Sequence, residues 1–176
     1  MIINEKTNRS AYLEQVAAAM MTAARTAPKA KGSDQLEIVA LTGCDIKELS
    51  NKMIELSPIL NKKFFLRDAD NILQAEAVVL IGTRLHNQGL DCGYCGWATC
   101  SEKPVQAPCA FVMNDLGIAI GSAAAKAADM RVDSRVMFSV GVAARAMGIL
   151  AECHAVMAIP ISCTGKSPFF DRVVAK

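Results

Sequence analysis

Aromatic residues make up only 5% of this chain, histidine occurs twice, and the charges nearly cancel, leaving a formal net charge of +2 over 176 residues. Such a balance argues neither for nor against nucleic acid by itself. No basic run is interleaved with aromatic side chains, however, so no nucleic-acid partner is expected. No apolar run reaches the length of a bilayer span, and no membrane association is expected either. The N-terminal stretch MIINEKTNRSAYLEQ is polar and charged, without the apolar segment that precedes a secretory cleavage site. The expectation is a cytoplasmic chain, where disulfides are disfavoured. Against this background the seven cysteines stand out.

Four of them, Cys92, Cys95, Cys100 and Cys109, fall within LDCGYCGWATCSEKPVQAPCAF at 90–111. The first three run C-x-x-C-x-x-x-x-C, and the fourth follows after a short loop stiffened by Pro104 and Pro108. Thiolates are the ligands of soft metals, and four complete a tetrahedral or cluster shell. Gly93 and Gly96 each follow a ligand directly and free the backbone to turn its N–H groups inward. Inward amides matter most to an iron–sulfur cluster, whose sulfides accept hydrogen bonds. A 4Fe–4S cluster is the occupant expected from the ligand count. Zinc remains the competitor, although only one C-x-x-C knuckle is present. His86 is read as a solvated loop residue, and Cys44, Cys153 and Cys163 receive no role, since a lone cysteine is usually a small hydrophobe.

The length predicts one domain, residues 1–176, with a cysteine-rich metal-binding loop at 84–112 inside it. An apolar fraction of 52% supports a substantial core. Three-and-four spacing predicts a helix over 11–24, capped by Ser10 and ended before Pro28. The two lysines of PKAKGSD read as a solvated turn. Buried strands are expected at 36–41, 77–82 and 155–161, with Pro160 marking an edge or a strand end. Asp45 and Glu48 have capping-box spacing ahead of a helix to about Leu56, and a short helix is expected at 67–74. Residues 110–113 read as a short strand. Two helices should follow, 115–129 capped by Asn114 or Asp115, and 134–147. Gly117 and Gly121 make the first of these thin, and close helix–helix packing is its expected use. Alternation of helices with buried strands predicts an α+β, helix-flanked sheet.

Several pieces together resemble a prokaryotic family of uncharacterised proteins containing a ferredoxin domain. They are ARTAPKAKG at 24–32, RDADN at 67–71, LDCGYCGWATC at 90–100, PCAF at 108–111, DLGIAIGSA at 115–123, RVDSRVMFSVG at 131–141 and TGKSPFFDR at 164–172. The cysteine block also resembles the cluster-binding C-G-x-C-G-x-x-x-C of certain redox-complex and corrinoid-protein subunits. That likeness implies Cys92, Cys95, Cys100 and Cys109 as ligands. AARTAPKAKGSDQLEIVAL and the later VAARAMGIL…IPISCTGK are similar to stretches of the flavin nitroreductases. This second likeness implies a three-layer α+β fold, a homodimer, and flavin mononucleotide at the dimer interface. Lys29 stands where that family has serine, and its R-R-S-x-R phosphate-binding block is missing here. Gly165 and Lys166 are the residues left to contact a flavin phosphate.

The functional expectation is a cluster-binding protein in electron transfer, with an unidentified redox partner protein. The alternatives are a flavin-dependent oxidoreductase that uses the cluster as a relay, and a structural zinc module that docks on another protein. The helices at 115–129 and 134–147 carry few charges, and uncharged helix faces are usually covered. A symmetric homodimer through these helices is therefore expected.

Overall fold

In the computed structural model, which describes residues 2–170, one antiparallel sheet of four strands separates two layers of helices. The first helix, α1 (Glu5–Thr26), buries Leu13, Val16, Ala17, Met20 and Ala24 along one face. It starts well before the expected Ser10, because the Asn4 side chain accepts from Lys6 N at 3.0 Å and supplies the cap. It ends as expected ahead of Pro28, with Ala27 already extended at φ −57, ψ 143. Strand β1 (Leu36–Thr42) follows a tight turn at Ala30–Gly32. Helices α2 (Cys44–Ile59) and α3 (Phe64–Ile72) come next, then β2 (Ala77–Arg84). The expected Asp45 cap is not used: α2 begins at Cys44, after Gly43 at φ 58.

Strand β2 lies in the middle of the sheet, between β1 and the last strand, β4 (Cys153–Ser162). Its side chains alternate between two cores, which is why it is apolar from Ala77 to Gly82. Ala77, Val79 and Ile81 face a core shared with α1 and α4 (Ala110–Asp129). Val78 and Leu80 face the other, shared with α2, α3 and α5 (Phe138–Ala146). Ile159 and Ile161 of β4 join the first core; Val156 and Ala158 join the second. The result is the three-layer α+β arrangement expected from the sequence.

Four local expectations are corrected. Residues 110–113 form the first turn of α4, not a strand; so short an apolar run carries no periodicity to separate the two. Asp115 is no cap but sits inside α4, where its carboxylate accepts from Ala30 N at 3.0 Å. The helix expected from 134 begins only at Phe138. Before it, strand β3 (Asp133–Ser134) pairs with Ser162 and Ile161, and Met137 exchanges backbone hydrogen bonds with Ala158. Pairing along the open side of β4 outweighs helix propensity there. Pro160 consequently lies in an inner strand. Ile161 O bonds Glu76 N on the β2 side, so the position lacking an N–H faces the other side. There it falls between the Met137 bridge and the short β3 pairing, where no donor is required.

Candidate metal centre

Between β2 and α4 the chain runs as turns from Leu85 to Cys109. This segment draws Cys92, Cys95, Cys100 and Cys109 around one small cavity. Gln88, Leu90, Trp97, Lys103 and Phe111 complete the wall. His86 lies outside it, in a neighbouring surface groove, as does Val105. Cys109 is buried and the other three thiols are half-buried.

The backbone presents donors to the sulfurs. Gly93 and Gly96 adopt φ 74 and 90, and Gly96 N closes a turn on Gly93 O at 2.9 Å. Ala110 N, the first amide of α4, donates to Cys95 Sγ at 3.1 Å. Asp91 N donates to Cys100 Sγ at 3.4 Å, while the Asp91 carboxylate accepts from Cys100 N at 2.6 Å. This reciprocal pair holds Asp91 at φ 45, a conformation that short polar side chains tolerate. Asn87 adds a third tie, donating to Cys100 O at 3.1 Å.

Positive charge gathers around the cavity. The N-terminus of the 20-residue α4 abuts Cys95 and Cys109, and its unpaired amides carry partial positive charge. Burial pushes the Cys109 thiol up, but the amides of Gln88, Val112 and Phe111 and the Cys95 side chain outweigh it and bring it below its ordinary value. Lys103 is a buried cation on the same wall, its ammonium held by Pro104 O and Ala107 O. Four soft donors, inward amides and positive charge suit a thiolate-bound soft metal or cluster. Among the described residues no three His, Cys, Asp or Glu side chains converge on a point that would hold a single ion.

Sequence reasoning found the four cysteines but missed their supports. Asp91, Gln88 and Lys103 carry no motif of their own; only their adjacency to the cysteines could have drawn attention to them. The two turn lysines are not simply solvated. The Lys29 side chain is 6% exposed, and its ammonium closes the C-terminus of α1 on the carbonyls of Ala24, Arg25 and Ala27. Lys31 Nζ donates to the Gln88 carbonyl at 3.1 Å, reaching the wall of the cysteine cavity. Gly165 and Lys166 lie on an exposed turn after β4, where the Thr164 hydroxyl bonds the Lys166 backbone. They line neither the cysteine cavity nor the other grooves named here. Arg172, at the end of the TGKSPFFDR stretch, lies outside the described residues.

Fold and loop together define a class: a nitroreductase-like α+β scaffold with a four-cysteine loop set against the start of a helix. A nitroreductase from Lactococcus lactis solved with nicotinic acid aligns over 93% of this chain and 88% of its own, with a TM-score of 0.61 and 15% identity. A nitroreductase with bound FMN from Bacteroides fragilis aligns over 92% and 83%, at a TM-score of 0.59 and 11% identity. For a BluB-like flavoprotein from Clostridium difficile the figures are 92%, 84%, 0.58 and 18%. Identities this low establish the fold alone. The chain belongs to the family described as uncharacterized proteins containing a ferredoxin domain (DUF2148), whose characteristic pattern matches residues 106–172. An uncharacterized protein of Archaeoglobus fulgidus is 38% identical over 186 aligned positions that span all of both chains. The stretch matched by the family pattern includes Cys109 and α4 but not Cys92, Cys95 or Cys100.

Proposed function

We propose that this is a cytoplasmic iron–sulfur protein that binds one 4Fe–4S cluster through Cys92, Cys95, Cys100 and Cys109 and works in electron transfer. One observation carries the reading: four thiols line a single cavity against the N-terminus of α4, with amides aimed at two of the sulfurs. A bound cluster would supply one-electron redox chemistry. The chain's own part is to hold the four ligands and to line the cavity around them with Leu90, Trp97 and Phe111. All seven cysteines are free, which suits a reducing compartment. Anaerobic purification with iron, sulfide and zinc analysis tests the reading. Close to four irons and four sulfides per chain are expected; stoichiometric zinc without iron would leave a structural module.

A second reading adds flavin. The fold aligns with an FMN-bound nitroreductase over 92% of the chain, which supports a flavin-dependent oxidoreductase in which Gly165 and Lys166 meet the phosphate. Such an enzyme would work as a homodimer. The exposed side of α4, with Gly117, Ile118, Gly121 and Ala125, is apolar and supports pairing through this helix. Fluorescence of the denatured supernatant tests for flavin, and sedimentation equilibrium tests for the dimer. Absence of flavin, and no uptake when it is added, would reduce the likeness to one of fold. A single monomeric species at low micromolar protein would remove the dimer.

A further inference from the structure

The wall of the cysteine cavity holds one polar group that nothing in the protein satisfies. Gln88 is 4% exposed, and its Nε2 is buried with no hydrogen-bond partner. The other buried side-chain atoms without partners among the described residues belong to Asn71, Glu76 and Ser162, none of which lines this cavity. Burying an amide without a partner is costly, so the position calls for an acceptor.

The rest of the residue is firmly placed. Its carbonyl accepts from Lys31 Nζ at 3.1 Å. On one side, the Asn87 side chain bonds Cys100 O and Gly89 N. Lys31 is itself fixed by the turn at Ala30–Gly32, where Ala30 N donates to both oxygens of Asp115 at 3.0 and 3.1 Å. The residue so placed lines the cavity alongside all four thiols.

We propose that the Gln88 side-chain amide donates a hydrogen bond to the sulfur of a cluster held in this cavity and so raises its reduction potential. The proposal rests on the cluster reading above. Accepting an electron adds negative charge to the cluster, and an N–H donor aimed at sulfur stabilises the reduced state more than the oxidised one. Lys31 acts as a positioning residue through the Gln88 carbonyl.

The test compares anaerobically purified full-length wild type with Gln88→Met, which keeps the volume and removes the donor. Gln106→Met is the control, since Gln106 belongs to the same loop but does not line the cavity. Iron and sulfide are measured first. The midpoint potential then follows from dithionite titration, and Fe–S vibrations are compared by resonance Raman in H₂O and D₂O. The expected result is equal iron in all three proteins, with a more negative potential and a smaller deuterium shift in Gln88→Met alone. Equal iron with an unchanged potential overturns the proposal and leaves the cluster reading standing. Wild type that carries zinc or no metal overturns both. Should Gln88→Met lose the cluster while keeping a native circular dichroism spectrum, the potential is read in Gln88→Glu. That variant keeps the size of the side chain and puts a carboxylate where the donor was, and the shift is expected in the same direction.

Discussion

Gly141 separates the glycines that this fold needs from those it merely tolerates. A Cβ placed there would lie 1.9 Å from Val156 O, 2.5 Å from its carbonyl carbon and 3.1 Å from Met157 N. Non-bonded carbons settle at about 3.5 Å or beyond, so α5 would have to retreat from β4 by more than an ångström. Neither side can give easily, because Val156 belongs to a strand paired with β2 through Gly82. Retreat would loosen Val140, Ala143 and Ala144, all fully buried on the same helix. Overpacking of this kind costs roughly 1–3 kcal/mol, occasionally more. The better helix propensity of alanine returns about 1 kcal/mol. With backbone on the receiving side the upper end of that range applies, so Gly141→Ala should cost about 2 kcal/mol net. For a chain of this length that lowers Tm by about 4–8 °C. Gly117→Ala and Gly121→Ala provide the contrast, since an added Cβ meets nothing within 4 Å at either position. Each should gain about 0.5–1 kcal/mol. Urea denaturation followed by far-UV circular dichroism measures all three. Gly141→Ala within about 0.5 kcal/mol of wild type would refute the packing argument.

Asp91→Ala removes the carboxylate that holds Cys100 N at 2.6 Å, and should reduce cluster or metal affinity about 10–100-fold while leaving the fold intact; competition with a chelator reads this out. Cys153 is buried, and burial, reinforced by the charge of Glu37, holds its thiol above the ordinary value of 9.0. Its contribution to stability is therefore complete below about pH 9 and is lost as pH rises toward the folded-state value, because the unfolded chain loses that proton first. Above about pH 9 the stability of wild type should decline more steeply than that of Cys153→Ala, and identical slopes would contradict this. In native protein at about pH 8, iodoacetamide should label exposed Cys44 and spare Cys153, with peptide mass mapping as the check. Lys29→Met should destabilise the protein by about 1–3 kcal/mol, through the lost cap on α1.

The three long strands were legible because their reasons are local. The run AVVLIG at 77–82 is apolar at every position because both faces of β2 are covered. Helix α1 could be read from its spacing, and its end from Pro28. What escaped depended on partners distant in sequence. Residues 134–137 have helical spacing, but their backbone is claimed by β4, more than twenty residues on. Gly117 and Gly121 suggested close packing, yet the approach to α1 is made by Ala119, Ala123 and Ala127 on the other side of α4. The glycines that do permit close approach, Gly141 and Gly82, looked no different in the sequence. In the site, the four cysteines announced themselves through spacing, whereas Gln88 and Lys103 owe their importance to burial beside the thiols.

Four of the stretches that resemble one family, ARTAPKAKG, LDCGYCGWATC, PCAF and DLGIAIGSA, meet around α4, and this makes one device of what reads as scattered motifs. The PCAF stretch ends the cysteine loop and begins the helix, so the fourth thiol and the amide facing Cys95 are set by the same turn. One turn further along, Asp115 of DLGIAIGSA takes the Ala30 amide of ARTAPKAKG. The next residue of that stretch, Lys31, returns to the cavity through the Gln88 carbonyl. A path of hydrogen bonds thus leaves the cysteine cavity along α4 and comes back to it through the loop after α1. Each link ties a residue beside the thiols to the helix layer beneath, where Leu116, Ala119 and Met20 are packed without solvent. A loop of twenty-five residues without regular structure would otherwise place its four thiols poorly. Anchoring at both ends to the same rigid helix is what lets so irregular a segment present them around one cavity.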